Sequence, residues 1–216
     1  MPRRGARLLL AALILCCAPW CRAADFAAVQ PSPDARYAAE RVLLTGDAMA
    51  RPFAIVDKVE ARIYVFDAAG HLLGASPLLL GMAVGDIASR DAAVADTARL
   101  RPASLAPADR STPSGRFETQ PGHNDSGEPI VWVDYDASLA LHRLRPAAAS
   151  ERRPERLASP TPDDNRISLG CLVVPVAFYD GVVAASLGAQ RGVVYVLPET
   201  RPARTLFDAL EFAALF

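Results

Sequence analysis

The fold class is decided by the following stretch of the sequence: Arg62-Ile63-Tyr64-Val65-Phe66-Asp67-Ala68-Ala69-Gly70. After Arg62, its first residues are β-branched or aromatic, which is typical of a β-strand. The Asp and Gly in the following four residues predict a turn. Residues 53–56 before this stretch and residues 71–80 after it are also apolar. The folded part of the chain therefore begins with a predicted strand meander.

The rest of the chain adds more strands and places helices at both ends. We predict further strands at residues 115–119, 130–135, 138–141, 168–174 and 192–197. We predict helices at residues 33–50, 175–187 and 205–216, and proline is tolerated in the first turn of the second. Residues 86–110 are predicted to be a surface insertion, and residues 143–166, rich in proline and charge, a long exposed loop. The residues alone thus indicate a β-rich domain with helical ends.

The first 23 residues have the pattern of a secretory signal peptide. Three arginines in residues 1–7 precede an unbroken apolar run over residues 8–18, and small residues follow at Ala23 and Ala24. This is the expected order of charged region, apolar region and cleavage site. The apolar run is shorter than the roughly 20 residues that a membrane-spanning helix needs. We therefore expect export to the periplasm and no stable membrane anchor.

Composition and charge exclude two function classes. Hydrophobic residues make up 51% of the chain and charged residues 22%, so there is enough apolar material for a core, and a disordered charged tail is excluded. Cleavage near Ala23 removes four arginines and no acidic residue, which takes the formal charge from −1 to −5. A weakly acidic chain without a basic stripe is not expected to bind nucleic acid.

The cysteines give no disulfide framework and no metal site. Of the four in the chain, three lie in the predicted signal peptide, and only Cys171 remains after cleavage. A single cysteine forms no internal disulfide and cannot build a cysteine cluster around zinc. We therefore expect neither a metal nor a cofactor, and a lone thiol that is either buried, paired between chains, or kept for its reactivity.

The remaining chemistry centres on the thiol of Cys171. The preceding Gly170 lets the backbone approach a substrate closely, and successive amides there are able to face an oxyanion. The helix predicted to begin near Pro175 would direct its positive end toward the thiol and favour the thiolate. A cysteine nucleophile needs a base, which is almost always histidine. Of the three histidines in the chain, His142 stands at the end of a predicted strand and is our candidate.

Each candidate also has an interpretation without a catalytic role. Cys171 is then an inert buried cysteine, and His142 an ordinary residue at a strand end. Ser168 hydrogen-bonds a substrate carbonyl or His142, or else only the local backbone. Arg166 either attracts carboxylates of the substrate or is a solvated loop residue. The turn sequence around His123 predicts a solvated loop residue there.

Three segments follow one another in a specific order along the chain. They are Ser111-Thr112-Pro113-Ser114-Gly115-Arg116-Phe117, then His142, then Ser168-Leu169-Gly170-Cys171. In this order they resemble the L,D-transpeptidases of bacterial cell walls, the YkuD-type catalytic domain. In that family a Thr-Pro-x-Gly-x-Phe segment precedes a histidine and a Ser/Thr-His-Gly-Cys motif. The resemblance covers about residues 53–198 and implies a mainly β fold, a YkuD-like β-sandwich with flanking N- and C-terminal helices.

The resemblance also implies a reaction. Cys171 resembles the nucleophile of the family, His142 its general base, and Gly170 with the Cys171 amide its oxyanion hole. Ser168 and Arg166 are candidate substrate-binding residues. The thiol would attack the bond between the third residue and D-Ala of a peptidoglycan stem tetrapeptide. D-Ala would leave, and an amine of another stem would resolve the thioester.

Two residues depart from the family pattern. Leu169 stands where the motif has histidine, and Val173 stands where Arg or Asn is often found. Leu169 remains a candidate substrate-binding position because of its place in the motif. Two alternatives stay open beside transpeptidation. One is an L,D-carboxypeptidase or other hydrolase on the same site, and the other is a non-catalytic peptidoglycan-binding relative.

The chain divides into four predicted parts. They are a signal peptide at residues 1–23, a helical segment at 24–51, an L,D-transpeptidase-like catalytic domain at 52–200 and a C-terminal helix at 201–216. The expected partners are peptidoglycan stem peptides, and the expected oligomeric state is a monomer.

Overall fold

A computed structural model describes residues 23–87 and 110–213 of the protein. Its helices are α1 (Pro33–Thr45), α2 (Arg153–Ala158), α3 (Val176–Phe178) and α4 (Arg204–Ala213). Its strands are β1 (Phe53–Asp57), β2 (Arg62–Phe66), β3 (Leu72–Pro77), β4 (Leu80–Gly81), β5 (Gly115–Glu118), β6 (Gln120–His123), β7 (Pro129–Asp134), β8 (Leu139–Arg143), β9 (Arg166–Ser168), β10 (Leu172–Val174) and β11 (Val193–Val196). The predicted mainly β class, with a helix near each end, is confirmed. The predicted signal peptide and most of the predicted surface insertion lie outside the described residues.

The first sheet has five strands in the order β3-β2-β1-β11-β5. Strands β1 and β2 are antiparallel, as the predicted meander requires, whereas β1 and β11 are parallel. Alternate side chains of its three middle strands point to opposite faces, and nearly all of them are buried. This explains why these strands are apolar runs without polar alternation, since both faces of the sheet are covered.

The second sheet has four strands in the order β10-β8-β7-β6. Its inner face packs on the first sheet and forms the main core with Val131, Val133, Leu139, Leu141, Leu172 and Val174. The residues between these point to the outer face of the sheet because side chains alternate along a strand. His142 is one of these outward residues.

The two terminal helices cover the other face of the first sheet. Helix α1 begins after Ser32, whose hydroxyl accepts the N–H of Ala35, and ends at Gly46 in the left-handed conformation. The predicted continuation to residue 50 is therefore wrong, because the left-handed residue stops the helix. Helix α4 contributes Leu206 and Phe207 to the same apolar cluster as α1.

Three other predictions are corrected by the structure. Residues 143–166 are not one exposed loop, because α2 buries Leu157 against Leu79 and Val173. The sequence around His123 is not a turn, because residues 120–123 form strand β6 and the turn begins at Asn124. The predicted helix at residues 175–187 is α-helical only over α3 and continues as a π-helical turn at Tyr179–Val183. Two short 3₁₀ turns, Ala149–Glu151 and Pro162–Asn165, flank α2.

Candidate active site

A cavity of about 330 Å³ lies on the outer face of the second sheet. Its lining includes Ile130 and Trp132 of β7, Ala140 and His142 of β8, and Cys171 just before β10. These residues occupy alternate positions that face away from the core, so the pleat of the sheet brings them onto one surface. The cavity is completed by Asn124, Asp125, Tyr135, Ser138 and Arg145.

The register of two parallel strands places Cys171 and His142 close to each other. Strands β8 and β10 are adjacent and parallel, and Val173 lies opposite His142. Cys171 precedes Val173 by two residues and therefore shares its face of the sheet. Cys171 and His142 are thus diagonal neighbours on the cavity side. The two residues that the sequence singled out as nucleophile and base line the same cavity.

His142 is held as a neutral imidazole with a defined tautomer. The residue is only 9% exposed, and this burial is the main cause that lowers its pKa to about 4, with the positive charges of Arg145 and Arg153 adding to the effect. Its Nδ1 lies 2.8 Å from the carbonyl oxygen of Arg143. Because a carbonyl only accepts, Nδ1 carries the proton, and Nε2 is left as the basic nitrogen.

Cys171 is partly buried and its thiol is oriented by the neighbouring hairpin. The sulfur lies 3.6 Å from the carbonyl oxygen of Ser138, to which the S–H donates. Ser138 has a φ of 51° in the turn between β7 and β8. This left-handed conformation costs a residue with a side chain roughly 1 kcal/mol. The strain is therefore located where the carbonyl contacts the candidate nucleophile.

The loop that carries Cys171 is shaped by side chains that bond its backbone. Ser168 donates its hydroxyl to the carbonyl of Cys171 at 2.7 Å and accepts the N–H of Gly170 at 3.1 Å. Of the bonding possibilities open for Ser168, the structure shows the one to the local backbone. The N–H of Gly170 is consequently used inside the loop. Gly170 itself has a φ of 134°, and a Cβ there would lie 3.0 Å from the carbonyl oxygen of Ser111.

Thr112 connects this loop to the strand on its other side. Its buried hydroxyl donates to the carbonyl of Gly170 at 2.8 Å and accepts the N–H of Gly81 at 2.9 Å. The carbonyl of Thr112 in turn accepts a hydrogen bond from the Nζ of Lys58 at 2.8 Å. A continuous chain of buried hydrogen bonds therefore runs from Lys58 to the residue that precedes Cys171.

Lys58 belongs to a buried ionic cluster behind the loop. Its side chain is fully buried and pairs with Asp86 at 2.9 Å and with Glu199 at 3.3 Å. Arg166 also forms an ion pair with Glu199. Hydrogen bonds from Thr200, Lys58 and the Glu199 N–H outweigh partial burial and lower the pKa of Asp86 to about 2. The two cations and two anions balance, which is the condition for burying charge.

The remaining sequence candidates take other positions. The guanidinium of Arg166 is directed to Glu199 and is not part of the cavity lining. Leu169 is 37% exposed and also does not line the cavity. His123 is exposed on β6 and does not line the cavity, although the next residue, Asn124, does. Of the predicted site residues, the structure thus brings only Cys171 and His142 into one cavity.

Sequence reasoning missed the basic residue of this cavity. Arg145 was not singled out, although its position three residues after His142 was a signal that could have drawn attention to it. The rings of Trp132 and Tyr135 form an edge-to-face pair with centroids 5.0 Å apart. Tyr135 is 71% exposed, so the pair is an aromatic wall at the rim of the cavity.

Residues 23–87 and 110–213 contain no group of three or more His, Cys, Asp or Glu side chains placed to hold a metal ion. The lining of the cavity contains the thiol of Cys171, the imidazole of His142 and the carboxylate of Asp125.

Eleven chains of known structure resemble this chain. The chain is similar to the NMR structure of the catalytic domain of the E. faecium L,D-transpeptidase, at a TM-score of 0.36 and 15% sequence identity. The likeness covers 69% of this chain and 98% of that domain. No protein-family model and no curated protein matches the chain.

Proposed function

We propose that the protein is a cysteine acyltransferase acting on peptidoglycan stem peptides, an L,D-transpeptidase. The observation that carries the proposal is the placement of Cys171 and His142 on one cavity-facing surface of adjacent strands. The neutral imidazole with its proton on Nδ1 adds a second support, because Nε2 is then a base. The order of the Thr112, His142 and Cys171 segments, which resembles the L,D-transpeptidases, supports the choice of substrate.

The proposed reaction begins with removal of the thiol proton. His142 Nε2 takes the proton from Cys171, and the sulfur attacks the carbonyl carbon between the L-centre of the third residue and D-Ala. The C–N bond of the tetrahedral intermediate then breaks. The imidazolium returns its proton to the departing amine of D-Ala, and a thioester remains on Cys171.

The second half of the reaction resolves the thioester. The side-chain amine of another stem's diamino acid attacks the thioester carbon and loses a proton to His142. The C–S bond breaks, the sulfur recovers the proton, and a new amide joins the two stems. If water attacks instead, the products are a shortened stem and the regenerated thiol, which is carboxypeptidase chemistry. We propose that this takes place in the periplasm after removal of the signal peptide, on a monomer.

Acylation by a carbapenem tests the proposed nucleophile. The full chain is incubated with the antibiotic and its intact mass is measured. We expect one adduct on Cys171, no adduct on the Cys171→Ala variant, and strongly slowed labelling of His142→Ala. His71→Ala is the matched control, because this histidine is exposed beside Asp67 in a hairpin turn and should label at the wild-type rate. No adduct on the wild-type protein would favour a non-catalytic relative.

Purified muropeptides distinguish transfer from hydrolysis. A tetrapeptide donor is mixed with the protein, and the products are separated by mass. Dimers with release of D-Ala are the expected result, whereas shortened monomers alone would make the protein a carboxypeptidase. Product that persists with Cys171→Ala would refute the thioester mechanism altogether.

A further inference from the structure

Arg145 places a positive charge in the same cavity as Cys171 and His142. It follows the end of β8, and its side chain is 33% exposed. Its charge is one of the causes that lower the pKa of His142, which is consistent with a guanidinium close to the candidate base. The reaction proposed above needs no cation at this place, so the position of Arg145 calls for a different explanation.

Arg145 uses little of its hydrogen-bonding capacity on the residues that the structure describes. Its Nε lies 2.8 Å from Oε2 of Glu128 but is not aligned for a hydrogen bond. The structure records no hydrogen bond from its terminal nitrogens to residues 23–87 or 110–213. A guanidinium carries five N–H donors in a rigid fork, and this fork matches the two oxygens of a carboxylate.

Glu128 orients Arg145 from one side. Its carboxylate accepts a hydrogen bond from the side-chain amide of Asn124 at 2.8 Å, and the N–H of Glu128 donates to Asn124 Oδ1 at 2.8 Å. These contacts tie Glu128 to the turn between β6 and β7. Glu128 contacts Arg145 at Nε. The outer edge of the guanidinium, which carries the two terminal nitrogens, is therefore not the edge that Glu128 contacts.

We propose that Arg145 binds a carboxylate of the donor peptide and thereby selects donors with a carboxylate next to the bond that is cleaved. The inference rests on the proposed function and deepens it, since it names a specificity-determining residue and the group it recognises. Two carboxylates of a stem tetrapeptide meet this description. One is the C-terminal carboxylate of D-Ala, and the other is the side-chain carboxylate of the diamino acid.

Binding measurements on an inactive protein test the inference without requiring turnover. The Cys171→Ala protein is titrated with three synthetic tetrapeptides: the free acid, the C-terminal amide, and the peptide amidated at the diamino acid. We expect one of the two amides to bind about tenfold more weakly than the free acid, because it loses a charge-assisted bidentate contact. The amide that shows this loss identifies the carboxylate.

Two further substitutions assign the effect to Arg145. Adding Arg145→Gln should bring the acid-to-amide ratio of dissociation constants close to one, and Arg145→Lys should restore only part of it because an ammonium lacks the fork. Arg153→Gln is the matched control. Arg153 also lowers the pKa of His142, but it pairs with Glu151 and does not line the cavity, so its loss should leave the ratio unchanged.

Several outcomes would overturn the inference. They are equal binding of all three peptides, a ratio that survives Arg145→Gln, equal loss with Arg153→Gln, and no binding of the free acid at all. The proposed function fails separately, through absence of an adduct or of turnover in the wild-type protein. A protein that processes acid and amide donors equally well would keep the proposed function and lose this role for Arg145.

Discussion

Replacing Thr112 by valine should slow the reaction of Cys171 more than a loss of stability alone explains. Valine has the shape of threonine but no hydroxyl. The Thr112 hydroxyl is the group that joins the Gly81 N–H to the Gly170 carbonyl, and Gly170 directly precedes the candidate nucleophile. Without it, the loop loses the contact that holds its backbone against the neighbouring strand, and the sulfur is no longer held in one position.

The size of the effect follows from the two hydrogen bonds. Thr112 is 1% exposed, so the substitution leaves one donor and one acceptor buried without a partner, each at a cost of about 1–3 kcal/mol. We expect Thr112→Val to lower the free energy of unfolding by about 2–6 kcal/mol. Displacement of a reacting atom by about 1 Å can cost a hundredfold in rate, so acylation of Cys171 should slow by about tenfold to a hundredfold.

Thr112→Ser is the variant that separates position from stability. It keeps the hydroxyl and loses one methyl group, which costs about 1 kcal/mol, and it should label close to the wild-type rate. Acylation by a carbapenem is followed by intact mass at a temperature where circular dichroism shows each variant to be folded. Urea denaturation gives the stability of the same samples.

A folded Thr112→Val protein that is less stable yet labels at the wild-type rate would refute the positioning role of the Thr112 hydroxyl. Equal slowing of Thr112→Ser and Thr112→Val would refute it as well. Serine keeps the hydroxyl that reaches Gly170, whereas valine does not. Equal stability of all three proteins would contradict the burial of the two hydrogen bonds.

Three other substitutions give measurable outcomes. Gly170→Ala places a Cβ 3.0 Å from the Ser111 carbonyl oxygen at a φ of 134°. Urea denaturation should therefore show a free energy of unfolding that is lower by about 1–3 kcal/mol. An unchanged free energy of unfolding would contradict this strain. Lys58→Met leaves the carboxylate of Asp86 without its cation and Glu199 with Arg166 alone. It should lower the free energy of unfolding by about 3–5 kcal/mol in the same measurement, and a loss under about 1 kcal/mol would be the contrary result. His142 has a pKa near 4 in the folded protein, against an ordinary value near 6.5. Its contribution to the free energy of unfolding is therefore complete above pH 6.5. About 3 kcal/mol of it is lost as the pH falls toward 4, because the unfolded chain binds the proton first. His142→Gln should remove that part of the pH dependence of the free energy of unfolding, and a curve parallel to the wild type between pH 6.5 and 4 would count against it.

The strands of the first sheet were predictable because their environment is uniform. Residues 53–56, 62–66 and 192–197 are apolar at nearly every position, and the structure buries both faces of these strands. Such runs have no competing interpretation once their length is that of a strand. The predicted bounds therefore agree with β1, β2 and β11 to within a residue.

Strand β6 and helix α2 were not predictable because tertiary contacts form them. The Pro121-Gly122 pair indicates a turn locally, yet a Cβ at Gly122 would lie 2.7 Å from the ring of Trp132. The glycine is thus required by close packing of the ring on the strand, not by a turn. In α2, one apolar side chain, Leu157, buries itself among distant residues, and a charged, proline-containing segment does not reveal that in its own sequence.

The candidate site was predictable in its two reactive groups but not in its surroundings. Motif order singled out Cys171 and His142, whereas their closeness depends on the parallel pairing of β8 with β10. That pairing joins segments separated by the whole of residues 144–171, and no local pattern specifies it. Arg145 lies beyond the end of β8, where the alternation of a strand no longer tells which way a side chain points.

Leu169 is the most conspicuous departure from the L,D-transpeptidase motif, and the structure limits what it can affect. The shape of the loop depends on the hydroxyls of Thr112 and Ser168 and on the backbone of Gly170. None of these contacts involves the side chain of Leu169, which is 37% exposed and outside the cavity lining. Placing Cys171 beside His142 therefore does not require a histidine at this position. A polar group missing from the exposed side of the loop bears on what approaches the thiol. We therefore propose that this departure affects substrate recognition, for which Arg145 would supply a charged donor of its own.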